Sequence, residues 1–261
     1  MTRFFIVTND AKDSEYIVTN HIKEYLKARG KEITDDYALV DCVLVLGGDG
    51  TLLRAAVELA HLDAPFLGIN LGSLGFLAEV ERNQIETALD KMIQGEYVTE
   101  KRMMLDGITS GQNKNSVLND VVIIGHESMQ LIYFDLYVNG LKLTSYAADG
   151  MIISTPTGST GYNLSAGGPI VEPRAEAILL TPLSAHSMRS RSIILSHDDE
   201  VMIEITNGKN GEEQMVDAVF DGHKREVMKT GNQIKITKSK KTTTIIKVSK
   251  MNFFETLKQK L

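Results

Sequence analysis

One cysteine, Cys42, stands among 261 residues, so neither an internal disulfide nor a thiolate metal cluster can form. A reducing compartment suits such a chain. Long apolar runs are also missing: nowhere do about 18 or more apolar residues run together without charge, so no transmembrane helix can be drawn. The run 4–7 is far too short for the core of a signal peptide and polar residues close it at once. The expectation is a cytoplasmic protein without a membrane partner. Positive charge is in deficit, with 28 Lys+Arg against 34 Asp+Glu and a net charge of −6, which disfavours a protein that neutralises duplex phosphates. No nucleic-acid partner is expected.

Several catalytic signatures are absent as well. There is no G-x-x-x-x-G-K-[ST], no G-x-G-x-x-G after the first apolar run, and no HExxH. The serine in Gly158-Ser159-Thr160 fails G-x-S-x-G because Gly161 falls one position short. The six histidines are scattered; His126, His186 and His223 read as surface or supporting residues, and metal ligands stay unassigned. What remains is ordinary in bulk, 43% hydrophobic and 24% charged, as in folded soluble proteins. The length accommodates one large domain or two modest ones.

The first hundred residues alternate strand and helix patterns: strands at 4–7, 42–46 and 65–69, helices at 14–29, 52–62 and 83–94, the last stopping near Gly95. This alternation predicts an α/β, Rossmann-like N-terminal domain with a parallel sheet covered by helices. Beyond residue 101 the runs shorten to 121–124, 132–138, 151–154, 193–195, 201–205 and 234–237, separated by Asn139-Gly140, Asn207-Gly208 and Asp221-Gly222 turns. A second, β-rich domain of two stacked sheets, β-sandwich-like, is expected over 101–250. Residues 238–250 read as an exposed edge strand guarded by lysine. A C-terminal helix over 251–261, with Phe253, Phe254 and Leu257 at core-like spacing, is expected to return to the first domain.

Four segments carry candidate chemistry. Gly47-Gly48-Asp49-Gly50-Thr51 follows an apolar strand and opens a helix, where backbone N–H groups approach phosphates. A carboxylate there repels phosphate unless it has a task of its own, such as accepting a proton from an attacking hydroxyl or helping to hold Mg²⁺. Otherwise Gly-Asp-Gly is a plain turn with Asp49 as helix cap. Residues 70–77, NLGSLGFL, form a second glycine turn with Phe76 available to cover an aromatic ring. Asn119-Asp120 is either a strand-opening turn or an acceptor pair for ribose hydroxyls. Residues 148–169 crowd Asp149, Thr157, Thr160, Gly161, Tyr162 and Ser165 among glycines, offering neutral donors for phosphates and sugars. Asp221-Gly222 reads as a hairpin turn.

Taken together, the GGDGT turn, Asn119-Asp120 and the segment from Asp149 through TPTGSTGYNLSAGGP resemble the bacterial NAD kinases, over most of the chain. The first turn alone is shared with diacylglycerol kinases, sphingosine kinases and 6-phosphofructokinases; the later segment is far more specific. The resemblance implies phosphoryl transfer from ATP or polyphosphate to the adenosine-ribose 2′-hydroxyl of NAD, with Mg²⁺ or another divalent cation, in a homo-oligomer, tetramer or dimer. By matching position, Asp49 resembles the general base, with Gly50 beside it. Phe76 would lie near the adenine, Asn119 and Asp120 would hold the ribose, and Asp149 would stand near the nicotinamide end. Thr157, Thr160, Gly161, Tyr162 and Ser165 would surround NAD, with Tyr162 stacking, and Arg54 would approach phosphates. Residues 181–186 match a family run lining the site, loosely. Two departures stand out. Tyr146-Ala147-Ala148 lacks the cation the family often has before Asp149, and Gly161 replaces an alanine. A non-catalytic dinucleotide sensor and a lipid or sugar kinase of the same superfamily are the competing functions.

Overall fold

The computed structural model describes residues 1–72, 75–126, 131–184, 191–249 and 252–260. The chain divides into two compact units, one of residues 1–102 with 242–261 and one of residues 103–241.

The first unit opens with β1 (Arg3–Thr8), α1 (Ile17–Ala28), β2 (Glu32–Ile33), β3 (Cys42–Gly47), α2 (Asp49–Glu58), β4 (Phe66–Asn70), β5 (Val80–Glu81) and α3 (Ile85–Gln94). The strands lie parallel in the order β2-β1-β3-β4, with Val43 opposite Phe66 and Gly47 opposite Asn70. β3 is buried along its whole length, the mark of a central parallel strand covered on both faces. α1 buries Thr19, Ile22 and Leu26, and α3 buries Ile85, Ala88, Leu89 and Met92, the one-face spacing of an amphipathic helix. Gly95, at φ +81°, takes the left-handed position that ends α3. α2 starts at Asp49, three residues before the apolar pattern predicts, because its first turn is the glycine motif itself.

The chain enters the second unit within β6 (Val98–Thr109) and continues through β7 (Lys114–Val117), β8 (Asp120–Gly125), β9 (Ile132–Val138), β10 (Leu141–Ala148), β11 (Gly150–Ser154), the single turn α4 (Tyr162–Ser165), β12 (Ala177–Leu183), β13 (Ile193–Ser196), β14 (Val201–Ile205), β15 (Met215–Phe220) and β16 (Lys224–Lys229). It leaves within β17 (Gln233–Lys247) and ends in α5 (Phe253–Lys260). One antiparallel set runs β10-β9-β14-β17; another runs β13-β12-β11-β8-β15-β16. Ile132, Phe134 and Leu136 of the first set share one buried cluster with Val121, Ile123, Met151 and Ile153 of the second. The fold is therefore α/β plus a β-sandwich, with alternate residues of each inner strand turned to a common core. Asn139 and Gly140, at φ +52° and +77°, make the tight turn between β9 and β10.

Two sequence expectations change. Residues 238–247 form no free edge: β17 pairs β4 at Ile245 and buries Ser239, Thr243, Ile245 and Ile246, while Lys240 and Lys241 are exposed. The run of lysine and threonine masks these buried positions in the sequence. α5 has the expected helical form, yet none of its residues is buried, and Phe254 is 62% exposed.

Candidate active site

In the first unit, Gly48 caps α2 and Asp49 is its first residue. A side chain at Gly47 would overlap Thr51 Oγ1, which itself accepts from Asn9 Nδ2 at 3.0 Å, so the turn is sealed from below. The Asp49 carboxylate reaches a different loop. Its Oδ2 accepts from the Phe76 N–H at 2.7 Å, and its Oδ1 from Leu77 and Ala78 at 3.1 and 3.0 Å. A Cβ at position 75 would stand 1.9 Å from Oδ1, so glycine is required where the two glycine motifs meet. Those three bonds leave Oδ2 with acceptor capacity to spare. Gly50 and Arg54 are exposed on the first turns of α2. The Phe76 ring, expected at an adenine, lies 6.2 Å from the Phe253 ring and under Lys260 Nζ at 4.9 Å. Ser73 and Leu74 of the second glycine segment lie outside the described residues.

In the second unit, Asn119, Asp120, Tyr162, Asp221 and Arg225 surround a cavity of about 300 Å³ floored by Val122, Ile124 and Val219. Those floor residues belong to a small apolar cluster separate from the sandwich core. The sequence does not point to the floor or to Arg225, and it offers Asp221 as a hairpin turn that could approach the site. Asp221 follows an apolar run and precedes glycine, a pattern no different from an ordinary hairpin. Its carboxylate accepts from the N–H groups of Leu118, Asn119 and Asp120 at 2.8, 2.8 and 3.0 Å. Arg225 reaches the rim with one guanidinium nitrogen 3.0 Å from the fully buried Asp217, which His126 Nδ1 also meets at 2.8 Å.

Electrostatics set the two cavity carboxylates apart. Burial, with the Asp221 charge beside it, pushes Asp120 up to about 7. Burial raises Asp221 too, against the three N–H donors that favour its charged form.

The hydroxyl-rich stretch divides into scaffold and unspent groups. Thr155 Oγ1 donates to Leu118 O and accepts from Gly158 N. Ser159 Oγ is tied to Val171, and Asn163 bonds Ser159 O, Pro169 O and Thr181 Oγ1. Gly158 packs where a Cβ would lie 2.4 Å from Asn119 O, which fixes the turn against Asn119-Asp120. In contrast, Thr157 Oγ1 and Asn119 Oδ1 are buried without a hydrogen-bond partner among the described residues. Thr160 is half-buried; Tyr162, Ser165 and Asp149 are exposed. Gly161 places its missing Cβ 3.3 Å from Asn119 Nδ2, so glycine relieves a tight contact that alanine would make. Ala185 and His186 lie outside the described residues.

No group of three or more His, Cys, Asp or Glu side chains that could hold a metal ion occurs among the described residues. The donors present do not fit a resident metal centre. A magnesium ion held by one carboxylate and the phosphates of a substrate needs no such cluster.

The sequence matches the ATP-NAD kinase N-terminal domain over residues 33–97 and the ATP-NAD kinase C-terminal domain over residues 118–248. It is 40% identical to the NAD kinase of Lachnospira eligens, with the whole of both chains covered. The chain belongs to the NAD kinase family. Similarity to the NAD kinase of Agathobacter rectalis is of the same order, 40% identity over 100% of this chain and 99% of the relative. Among solved structures, an NAD kinase from Archaeoglobus fulgidus in complex with ATP superposes with a TM-score of 0.83 at 27% identity, covering 99% of this chain and 98% of that one. Yeast NADH kinase complexed with NADH shares the fold, with a TM-score of 0.80 at 23% identity, covering 99% and 86%. The family match spans both constellations, the glycine turns and the cavity.

Proposed function

We propose that the chain transfers a phosphoryl group from ATP or polyphosphate to the 2′-hydroxyl of the adenosine ribose of NAD, giving NADP. The observation that carries this reading is the cavity of the second unit. There Asn119 Oδ1 is a buried acceptor with no partner among the described residues, next to the Asp120 carboxylate, and both match the hydroxyl donors of a ribose. The floor of Val122, Ile124 and Val219 suits a flat ring, and Tyr162, exposed at the rim, suits stacking. Thr157 Oγ1 supplies a further unspent hydroxyl in the turn that packs on Asn119. Thr160, Gly161 and Ser165 continue this wall, and Asp149 serves the nicotinamide end.

The first unit takes the donor. Gly48 and Gly50 leave the amino terminus of α2 open to phosphate, and the exposed Arg54 lies one turn further along the helix. Asp49 accepts the proton of the attacking hydroxyl on the oxygen that Phe76 N–H leaves with spare capacity. Its three N–H bonds hold the acid at one place, so it acts from a fixed position. A divalent cation such as Mg²⁺, held by the donor phosphates and not by a cluster of side chains, would supply charge neutralisation when bound.

No described helix is long and apolar enough to cross a membrane. A buried Cys42, whose thiol burial pushes up, is inert and consistent with a cytoplasmic protein. Leu141 on β10, Ile194 on β13 and Val227 on β16 are exposed apolar residues on strands at sheet margins, and they favour a homo-oligomer, tetramer or dimer.

The test incubates the protein with NAD, Mg²⁺ and each donor in turn, and reads NADP with an NADP-specific dehydrogenase. NADP from at least one donor is the expected result. Tight NAD binding with no NADP from either donor contradicts the reading and favours a sensor.

A further inference from the structure

Lys12 lies in the loop after β1, outside every motif of the sequence. Its ammonium nitrogen sits 3.0 Å from where a Cβ would stand on Gly48 and 3.0 Å from where one would stand on Gly72. The ammonium thus fills the room that two missing side chains leave, at the carboxyl ends of β3 and β4 and at the start of α2. Four contacts hold the loop there. Asn9 N–H donates to Leu46 O, Asn9 Nδ2 to Thr51 Oγ1, and Arg82 to Lys12 O, while Asp13 accepts from Val18 N, Thr19 N and Thr19 Oγ1 at the head of α1.

For an ammonium alone this is a poor place. The amino end of a helix carries partial positive charge, and a cation there is repelled. No carboxylate in the surrounding loops compensates it. Asp10 accepts from Tyr16 OH, Asp13 is spent on α1, and Asp49 is turned to residues 76–78. Lys12 has no ion-pair partner among the described residues. The site therefore collects cation, helix end and open glycine backbone, and lacks only an anion.

A second, independent observation lies at the base of the same turns. Asn70 is 3% exposed and is the strand partner of Gly47, whose carbonyl accepts from Leu71 N–H. Gly72 N–H donates to Asn70 Oδ1, which settles the orientation of the amide. Its Nδ2 is then a buried donor with no acceptor among the described residues. Leaving a buried donor unpaired is costly, so it points to an acceptor that the described residues do not provide.

We propose that Lys12, with Asn70 beneath it, binds the terminal phosphates of the phosphoryl donor. The inference rests on the reading of this chain as a kinase and adds a donor-binding residue to it. The chemistry required is a polyanionic phosphate chain, which ATP and inorganic polyphosphate share.

The experiment compares the wild-type chain with Lys12→Met and Lys12→Arg. Calorimetric titration with ATP and with tripolyphosphate is run alongside steady-state kinetics at varied donor and varied NAD. Lys12→Met is expected to weaken both phosphate ligands and to raise the donor KM by about 10- to 100-fold, the worth of one charge-assisted contact. The KM for NAD stays within about twofold, and Lys12→Arg recovers most of the donor affinity because the charge is kept. A merely structural lysine moves neither quantity selectively. Unchanged affinity for both phosphate ligands in Lys12→Met, or an equal loss of donor and NAD affinity, overturns the proposal. Should the wild type make no NADP yet bind tripolyphosphate in a Lys12-dependent way, the kinase reading falls and the phosphate site stands.

Discussion

Asp49 in the first unit and Asp221 in the second use the same local device. Each carboxylate accepts three successive backbone N–H groups, from residues 76–78 in one case and 118–120 in the other. Their surroundings differ. Asp49 is partly exposed in an open glycine turn, with no second acid among its hydrogen-bond partners. Asp221 stands beside Asp120, and the two acids with burial drive Asp120 up to about 7. A carboxylate that clamps a loop can therefore also serve chemistry, either directly, as proposed for Asp49, or by tuning its neighbour, as Asp221 tunes Asp120.

The sharpest way to break this comparison is Asp49→Asn. The amide must turn its NH₂ toward at least one N–H donor, so the change costs about 1–3 kcal/mol of stability as well as the base. Turnover is expected to fall by about 10²- to 10⁴-fold with NAD affinity little changed. Turnover and thermal unfolding measured on the same sample separate the two losses. Near-normal turnover removes Asp49 from the chemistry and leaves it a clamp.

Asp120→Asn comes next. The folded protein holds Asp120 near 7 against 3.8 for an ordinary aspartate, so it binds an extra proton between those values and loses stability as pH rises through that window. The variant is expected to be more stable than wild type at pH 8 by about 1–3 kcal/mol, with the advantage gone by about pH 4. Since ribose hydroxyls favour the ionised acid, the wild-type KM for NAD rises about tenfold from pH 8 to pH 6, and the variant loses that dependence. Denaturant melts and initial rates across this range check both.

Smaller effects sharpen the wall of the second site. Gly158→Ala forces a Cβ onto Asn119 O and is expected to cost about 1–3 kcal/mol in a denaturant melt, with a weaker grip on NAD. Gly161→Ala makes a contact only a few tenths of an ångström too close and is expected to change stability by no more than about 0.5 kcal/mol.

How much of this was legible beforehand follows from what sequence patterns encode. The alternation of strand and helix before residue 101 and the hairpin turns after it report period and turn chemistry, which are local, and both architectures appear as read. The GGDGT turn was legible because its residues stand together in the chain, between an apolar strand and a helix, and Gly47 is forced there by its contact with Thr51. Asp221 was not, since its importance lies in three amides about a hundred positions earlier. Lys12 was invisible for a like reason: a lone loop lysine acquires meaning only when the fold sets it over Gly48 and Gly72. The sequence does not tell which polar side chains of 154–163 build the turn: Thr155, Ser159 and Asn163 bond buried backbone, which only the fold reveals.

The reading of the second-unit cavity as a ribose site turns on the contact of Asp120 with the 2′-hydroxyl of NAD. Calorimetric titration of NAD and of its 2′-deoxy analogue, into wild type and Asp120→Asn at pH 8, tests it most directly. Wild type is expected to bind NAD about tenfold or more tighter than the analogue, and the variant to bind the two alike. Equal affinity of the wild-type protein for both ligands would contradict it.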